Sequence, residues 1–287
     1  MQKIFLLLSI AFIAAISGAA SKYVLNNISV ESLMFLRFWV AFICMLPFYS
    51  LLKGKSSKDI LYLIALSSGM GLSSIFYITG IRTTNLGVAQ AIFLLVPIFT
   101  LIFSYWFLSE EIKKSKIFGM IISIFGATVI FFLPKMYQES GLNVGDLEGN
   151  IYILLGALSY VSYLIFMKRT KFSHMEFMYG GILGSVILGS FLGVYDLMKG
   201  VNPYQNITLI DVGLILFIGG IGTVYLYFLV QKLMKVSSAF FTSFGTYIQL
   251  IFSTLLGYFF FAEHIGLGFL FGSALTIYGV YYINKGK

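Results

Sequence analysis

The sequence predicts an all-α membrane protein, with ten transmembrane helices arranged as two inverted five-helix repeats. Three observations carry that prediction. Hydrophobic residues make up 59% of the 287 and charged residues only 10%. Apolar runs of about 20 residues, the length that crosses a bilayer, recur along the whole chain. The second half also echoes the first at fixed spacings of glycine, tyrosine and glutamate.

A soluble domain of this length would need roughly a quarter of its residues charged to cover its surface. This chain lacks that surface, so its outside must face lipid. The runs are apolar on every side, whereas membrane β-strands alternate polar and apolar residues. Helices are therefore expected at 4–24, 32–52, 60–81, 86–108, 117–133, 150–167, 177–197, 212–230, 237–261 and 265–283.

The first run follows Lys3 and ends in small residues, Ser17-Gly18-Ala19-Ala20, which mimics a cleaved secretory signal. The repeat needs this helix as its first member, so it is read as a span. The second holds Arg37, an intramembrane charge, and the lone Cys44, which excludes an intrachain disulfide. The third carries Ser73 and Tyr77 four residues apart, hence on one helix face. The fourth contains Gln90 and Pro97, whose missing N–H would remove a helical hydrogen bond and could loosen a gate.

Between the fourth and fifth runs lies LSEEIKKSKIFG, Leu108 to Gly119; a relative of it, FAEHIGLGFLFG, starts at Phe261. Glu110 is followed by Gly119 and Gly126, and Glu263 by Gly272 and Gly279, at the same two spacings. Upstream, Ser73, Tyr77 and Ala89 align with Thr223, Tyr227 and Ala239. The first repeat is thus 1–133, the polar stretch 134–149 is a linker, and the second repeat is 150–287. Five helices per unit is an odd number, so the second copy enters the membrane upside down. This is the inverted-repeat pattern of secondary transporters, with a site expected near the midplane between the halves.

Charge follows the same plan. With the amino terminus in the cytoplasm, 14 of the 19 Lys and Arg fall on the inner side. Lys22, Arg82, Lys135 and Lys199 fall on the outer side, and Arg37 lies within a span. That is a strong positive-inside bias. The +8 net charge is a topology signal rather than a nucleic-acid patch. A multi-pass protein of the cell membrane follows, with both termini cytoplasmic. Glu110 and Glu263 then sit on opposite sides, each where it can meet the positive end of the next helix as a cap.

In the later spans, Tyr160 and Tyr163 belong to the sixth, Thr223 and Tyr227 to the eighth, and Thr242, Thr246 and Gln249 to the ninth. Polar groups at such depth are costly unless they face a partner or a wet cavity. Ser17, Ser73, Tyr77, Gln90, Tyr160, Tyr163, Thr223, Tyr227, Thr242 and Gln249 are therefore the candidate substrate-binding residues. The alternative for each is a bond to a neighbouring helix. Arg37, Pro97, Glu110 and Glu263 are read as structural or gating residues; Arg37 could pair with Glu31, snorkel outward, or attract an anionic group. The GxxxG pairs Gly180/Gly184, Gly189/Gly193 and Gly268/Gly272 are read as packing within the chain.

These features together resemble the drug/metabolite transporter superfamily, specifically its ten-helix EamA group. Lys22 follows the first span, and Arg37 stands early in the second, in ESLMFLRFWVAF. The fourth holds VPIF around Pro97 and ends in LSE, ahead of a glycine-spaced fifth. The second repeat departs from the first: it has Tyr247-Ile248-Gln249 in place of the proline, and Tyr179 near the position expected for a second Arg37. The resemblance implies alternating access, export of small metabolites such as amino acids or drug-like compounds, and a cavity lined by the first, third, fourth, sixth, eighth and ninth spans.

Rival classes find little in the sequence. There is no HExxH, no GxSxG, no phosphate-cradling loop and no Cys/His cluster with metal spacing. Neither an enzyme nor a cofactor or metal is expected. A channel would need a filter-like run or ring of charge. A non-transporting structural or receptor-like protein is the remaining alternative. The expected partners are a small-molecule substrate and the lipid bilayer, with a monomer as the expected unit. No Asp or Glu lies at mid-depth, which points to facilitated or weakly coupled movement.

Overall fold

The computed structural model describes residues 2–83, 89, 92–111, 113–137, 146–199, 204–261 and 267–285. Among them every regular element is helical. The first three spans are Gln2–Val24, Val30–Leu52 and Ser57–Arg82. The fourth and fifth are Val96–Leu108 and Lys114–Tyr137. After the linker come Leu147–Arg169, His174–Met198 and Leu209–Val236. The ninth is built of Ala239–Ser243 and Gly245–Phe261, and the tenth is Leu267–Lys285. The molecule is a membrane protein of two inverted five-helix repeats.

Helix starts use the few polar residues the chain has. Ser29 caps the second span by accepting from the Ser32 amide, and Ser56 caps the third through Asp59. Ser173 with Glu176, and Thr208 with Asp211, form reciprocal capping boxes at the seventh and eighth spans. Such boxes satisfy amides that bilayer and protein would leave without water. Large apolar side chains face outward, as lipid requires: Phe5 is 70% exposed, Trp106 67% and Phe191 72%.

Packing between spans follows the inversion. The second packs on the seventh and the fifth on the tenth, each pair mapping onto itself. The third packs on the sixth while the first packs on the eighth, and the fourth on the sixth while the first packs on the ninth, so these contacts come as reciprocal sets. The repeated glycines explain the fifth–tenth pair. A Cβ on Gly119 would lie 2.8 Å from the Gly279 carbonyl, and one on Gly126 would lie 2.6 Å from that of Gly272. Antiparallel helices with one glycine spacing bring the first glycine of each against the second of the other. Backbones then touch, as small residues allow in membranes. Gly180 and Gly184 admit Leu63 and Ser68 of the third span, and Gly189 and Gly193 admit Phe38 and Phe35 of the second.

Among the described residues five spans depart from continuous α-helix, the second by ending in a 3-10 stretch over Leu46–Leu52. The third is interrupted at Ser68, the fourth turns at Leu94–Leu95, and the ninth turns at Phe244. The eighth carries a π-helical stretch over Gly220–Tyr225. Pro97 is therefore at the start of a helix, where its missing N–H costs nothing, rather than a kink within one. Leu94 and Phe244 stand at equivalent places in the two repeats, 150 residues apart like Tyr77 and Tyr227. Discontinuous helices at mid-depth are the usual surroundings of a carrier's binding site.

Candidate functional site: a cavity between the repeats

A cavity of about 200 Å³ lies between the repeats, on the linker side of the bundle, reaching Lys22, Ile81 and Leu256 at the helix ends. On such a measure one water needs roughly 10–15 Å³, so the space suits an organic solute. Its lining comes from the first, second, third, sixth, eighth and ninth spans, with Phe93 from the turn before the fourth.

Six of the sequence candidates stand on its wall: Ser17, Ser73, Tyr77, Tyr160, Tyr227 and Gln249. Tyr77 and Tyr227, the equivalent residues of the two repeats, both line it. Tyr77 meets Phe93 edge to face at a centroid distance of 4.9 Å. Gln90 and Glu263 lie outside the described residues.

Three candidates are elsewhere. Tyr163 is fully buried, and its hydroxyl accepts from Gln231 Nε2 at 2.8 Å. Thr242 donates to the Ser238 carbonyl at 3.0 Å and meets the Ser237 hydroxyl. Thr223 is also fully buried, and its place is set by the π-turn. Its hydroxyl donates to the Ile218 carbonyl, five residues back, at 2.8 Å. The pairing of Ser73 with Thr223 therefore breaks: Ser73 faces the cavity and Thr223 faces Arg37.

Arg37 is 7% exposed and lines the cavity. Its Nε donates to Thr223 Oγ1 at 2.9 Å, and Nη2 makes a longer contact of 3.5 Å to the Gly222 carbonyl. It does not pair with Glu31. That carboxylate is taken by Lys199 at 2.7 Å, with Arg82 at 3.9 Å. Lys199 also reaches Asp196, which accepts from Ser29 and Ser32, and Asn27 donates to Asp211. The acids of the linker side are thus spent on tying helix ends together. No carboxylate lines the cavity among the described residues, while Arg37 and Lys22 bring positive charge to it.

Sequence reading missed Ser74, Phe93 and Ser253 on the wall. A signal for Ser253 existed. Thr246, Gln249 and Ser253 are spaced three and four apart and share one helix face, and all three line the cavity. Phe93 had none, being one apolar residue among many.

On the amino-terminal side, beneath the cavity, polar contacts tie the spans together. Besides the Gln231–Tyr163 bond, Lys168 Nζ donates to the Met234 carbonyl at 2.5 Å, and Arg169 sits over the Phe107 ring at 5.9 Å. Ser109 ends the fourth span in the left-handed conformation, φ 52°, and turns the chain into Glu110. The Glu110 carboxylate is half-buried, and its Oε2 has no hydrogen-bond partner among the described residues. Burial pushes its pKa above the usual carboxylate range, against the opposing pull of Lys116 and Lys168.

Comparison with known proteins adds to this geometry. A model described as the EamA-like transporter family matches residues 1–132 and again 147–285. A protein of Rickettsia bellii named S-adenosylmethionine uptake transporter is 26% identical, over 90% of this chain and 84% of its own. An uncharacterized transporter of Archaeoglobus fulgidus is 27% identical, over 93% of this chain and 92% of its own. A solved crystal structure with 14% sequence identity superposes at a TM-score of 0.74, over 98% of this chain and 96% of its own, and shares the fold.

Proposed function

This chain belongs to the EamA-like transporter family, and on that premise we propose that it carries a small amino-acid-type metabolite by alternating access through the central cavity. The observation that carries this reading is the wall itself: a buried guanidinium, tyrosines from both repeats and no carboxylate among the described residues. The buried Arg37 guanidinium, on a wall with no carboxylate among the described residues, disfavours a simple cation and favours a zwitterion or anion. The aromatic rings and aliphatic residues suit an apolar or aromatic body. Phosphorylated sugars fit less well, because no Lys and Arg cluster gathers at depth.

The contacts that tie the amino-terminal side together and the cavity on the linker side support one end state of an alternating cycle. With both termini in the cytoplasm, as the charge bias argues, that state is outward-facing. No coupling acid stands at mid-depth among the described residues, which supports facilitated or weakly coupled movement whose direction the solute gradient sets. Export, which the family resemblance implied, and uptake, which the Rickettsia relative's name prints, are then two directions of one carrier.

S-Adenosylmethionine is a second reading within the same class. It carries an amino-acid head, and its adenine could stack on Tyr77, Tyr160 or Tyr227, all on the wall. Its extra positive charge counts against it. Counterflow in proteoliposomes tests the proposal, using the twenty radiolabelled amino acids and S-adenosylmethionine. A carrier gives saturable exchange, a channel gives flux without exchange, and a scaffold gives neither. Absence of exchange for every compound would refute the proposed substrate class.

A further inference from the structure

Arginine has five N–H donors in one plane, and in Arg37 one edge of that plane is already occupied. Nε and Nη2 form this edge, facing Thr223 Oγ1 and the Gly222 carbonyl. The opposite edge, made by Nη1 and the second Nη2 proton, has no acceptor among the described residues. It belongs to a side chain that lines the cavity. Two parallel N–H groups match the two oxygens of a carboxylate, a pairing with both strength and direction.

Thr223 is built to hold that edge. Its single hydroxyl proton goes to the Ile218 carbonyl at 2.8 Å, so only lone pairs are left to meet Nε at 2.9 Å. A threonine in an α-helix ordinarily bonds the carbonyl three or four residues back. Reaching five back belongs to the π-turn of Gly220–Tyr225. Gly222 completes the arrangement. A Cβ there would lie 2.5 Å from Ser17 Oγ, so glycine lets the first span close against the turn.

We infer that Arg37 binds the carboxylate of the solute through its Nη edge, and that Thr223 is the positioning residue that aims this edge into the cavity without touching the solute. The inference rests on the reading of the cavity as the binding place. It sharpens the substrate class to compounds with a free carboxylate.

The test compares wild type, Thr223→Val and Thr223→Ser in proteoliposomes with three related probes. These are L-phenylalanine, 3-phenylpropanoate (no amine) and phenethylamine (no carboxylate), each measured as a half-saturation concentration and a maximal rate. Losing a bond to a charged group predicts about a tenfold rise in half-saturation for the two carboxylates in T223V. The maximal rate should stay within about twofold, T223S should match wild type, and any phenethylamine transport should not change. Thr223→Ala is read beside T223V, with melting temperatures reporting folding.

Wild type that exchanges neither carboxylate, while also failing with every amino acid, overturns the proposed function and this inference together. Wild type that exchanges them while folded T223V and T223A behave like wild type overturns the inference alone. So does equal damage in T223V to phenethylamine transport. Failure of both variants to fold would make Thr223 a structural residue and would equally overturn it.

Discussion

Tyr247 donates its phenolic hydrogen bond to the carbonyl of Leu94, at 3.0 Å, from the position that Pro97 holds in the other repeat. Where one repeat turns its fourth span and follows the turn with a proline, the other places a tyrosine that reaches back to that turn. The two halves are asymmetric here because one serves the other. A turn at mid-depth exposes backbone carbonyls that lipid cannot satisfy.

Tyr247→Phe should therefore lower stability by about 1–2 kcal/mol, leaving a buried acceptor with one partner fewer. Thermal unfolding in detergent reads this as a drop of a few degrees. A melting temperature equal to that of wild type would show that the bond contributes nothing.

Gly126→Ala should be costly and Gly213→Ala should not. A Cβ on Gly126 would lie 2.6 Å from both the Gly272 carbonyl and the Thr276 amide, which are backbone atoms. Forcing the fifth and tenth spans apart is expected to cost about 1–3 kcal/mol. Gly213 has nothing within 4 Å, so alanine there should be neutral or stabilising by up to about 1 kcal/mol through helix propensity. Melting curves of the two variants side by side check the contrast.

Gly222→Ala should be rescued by Ser17→Gly. The new Cβ would meet Ser17 Oγ at 2.5 Å and Ser17 Cβ at 2.9 Å, and the next neighbour is 3.7 Å away. Removing the serine side chain clears both contacts. A double-mutant cycle should give a favourable coupling of about 1–3 kcal/mol. Additive effects would place the strain elsewhere.

Glu110 predicts a pH dependence of stability. Burial raises its folded pKa above the unfolded value, with Lys116 and Lys168 opposing. The folded state thus prefers the protonated form. The stability this group contributes is complete below the ordinary carboxylate pKa and is lost as pH rises through the raised one. Wild type should consequently lose stability relative to Glu110→Gln across that window. Melting temperatures of both proteins from mildly acidic to neutral pH measure it, and parallel curves would contradict the burial argument.

The fold was legible in the sequence because its signals are strong in lipid. Apolar runs of bilayer length and a charge bias between loops leave few alternatives. The glycine spacings after Glu110 and Glu263 made the inversion readable, since they mark the one helix pair in which both partners carry the same motif. The tyrosine pair Tyr77 and Tyr227 was equally readable, and both line the cavity. The environments of Arg37 and Thr223 were not. No period in GIGTVY announces a π-turn, yet that turn decides which way Thr223 points and therefore what Arg37 meets. The expected partner, Glu31, was lost because Lys199 comes from the end of the seventh span, a long-range meeting that sequence spacing cannot rank.

The meeting of Gly119 with Gly279, and of Gly126 with Gly272, bears on how the two halves can change over generations. After a duplication each copy is ordinarily free to drift, but here a methyl gained in one is a collision suffered by the other. Four positions in two distant segments behave as one heritable unit. Growth at Gly119, Gly126 or Gly279 demands a retreat by the facing backbone, which side-chain substitution alone does not provide.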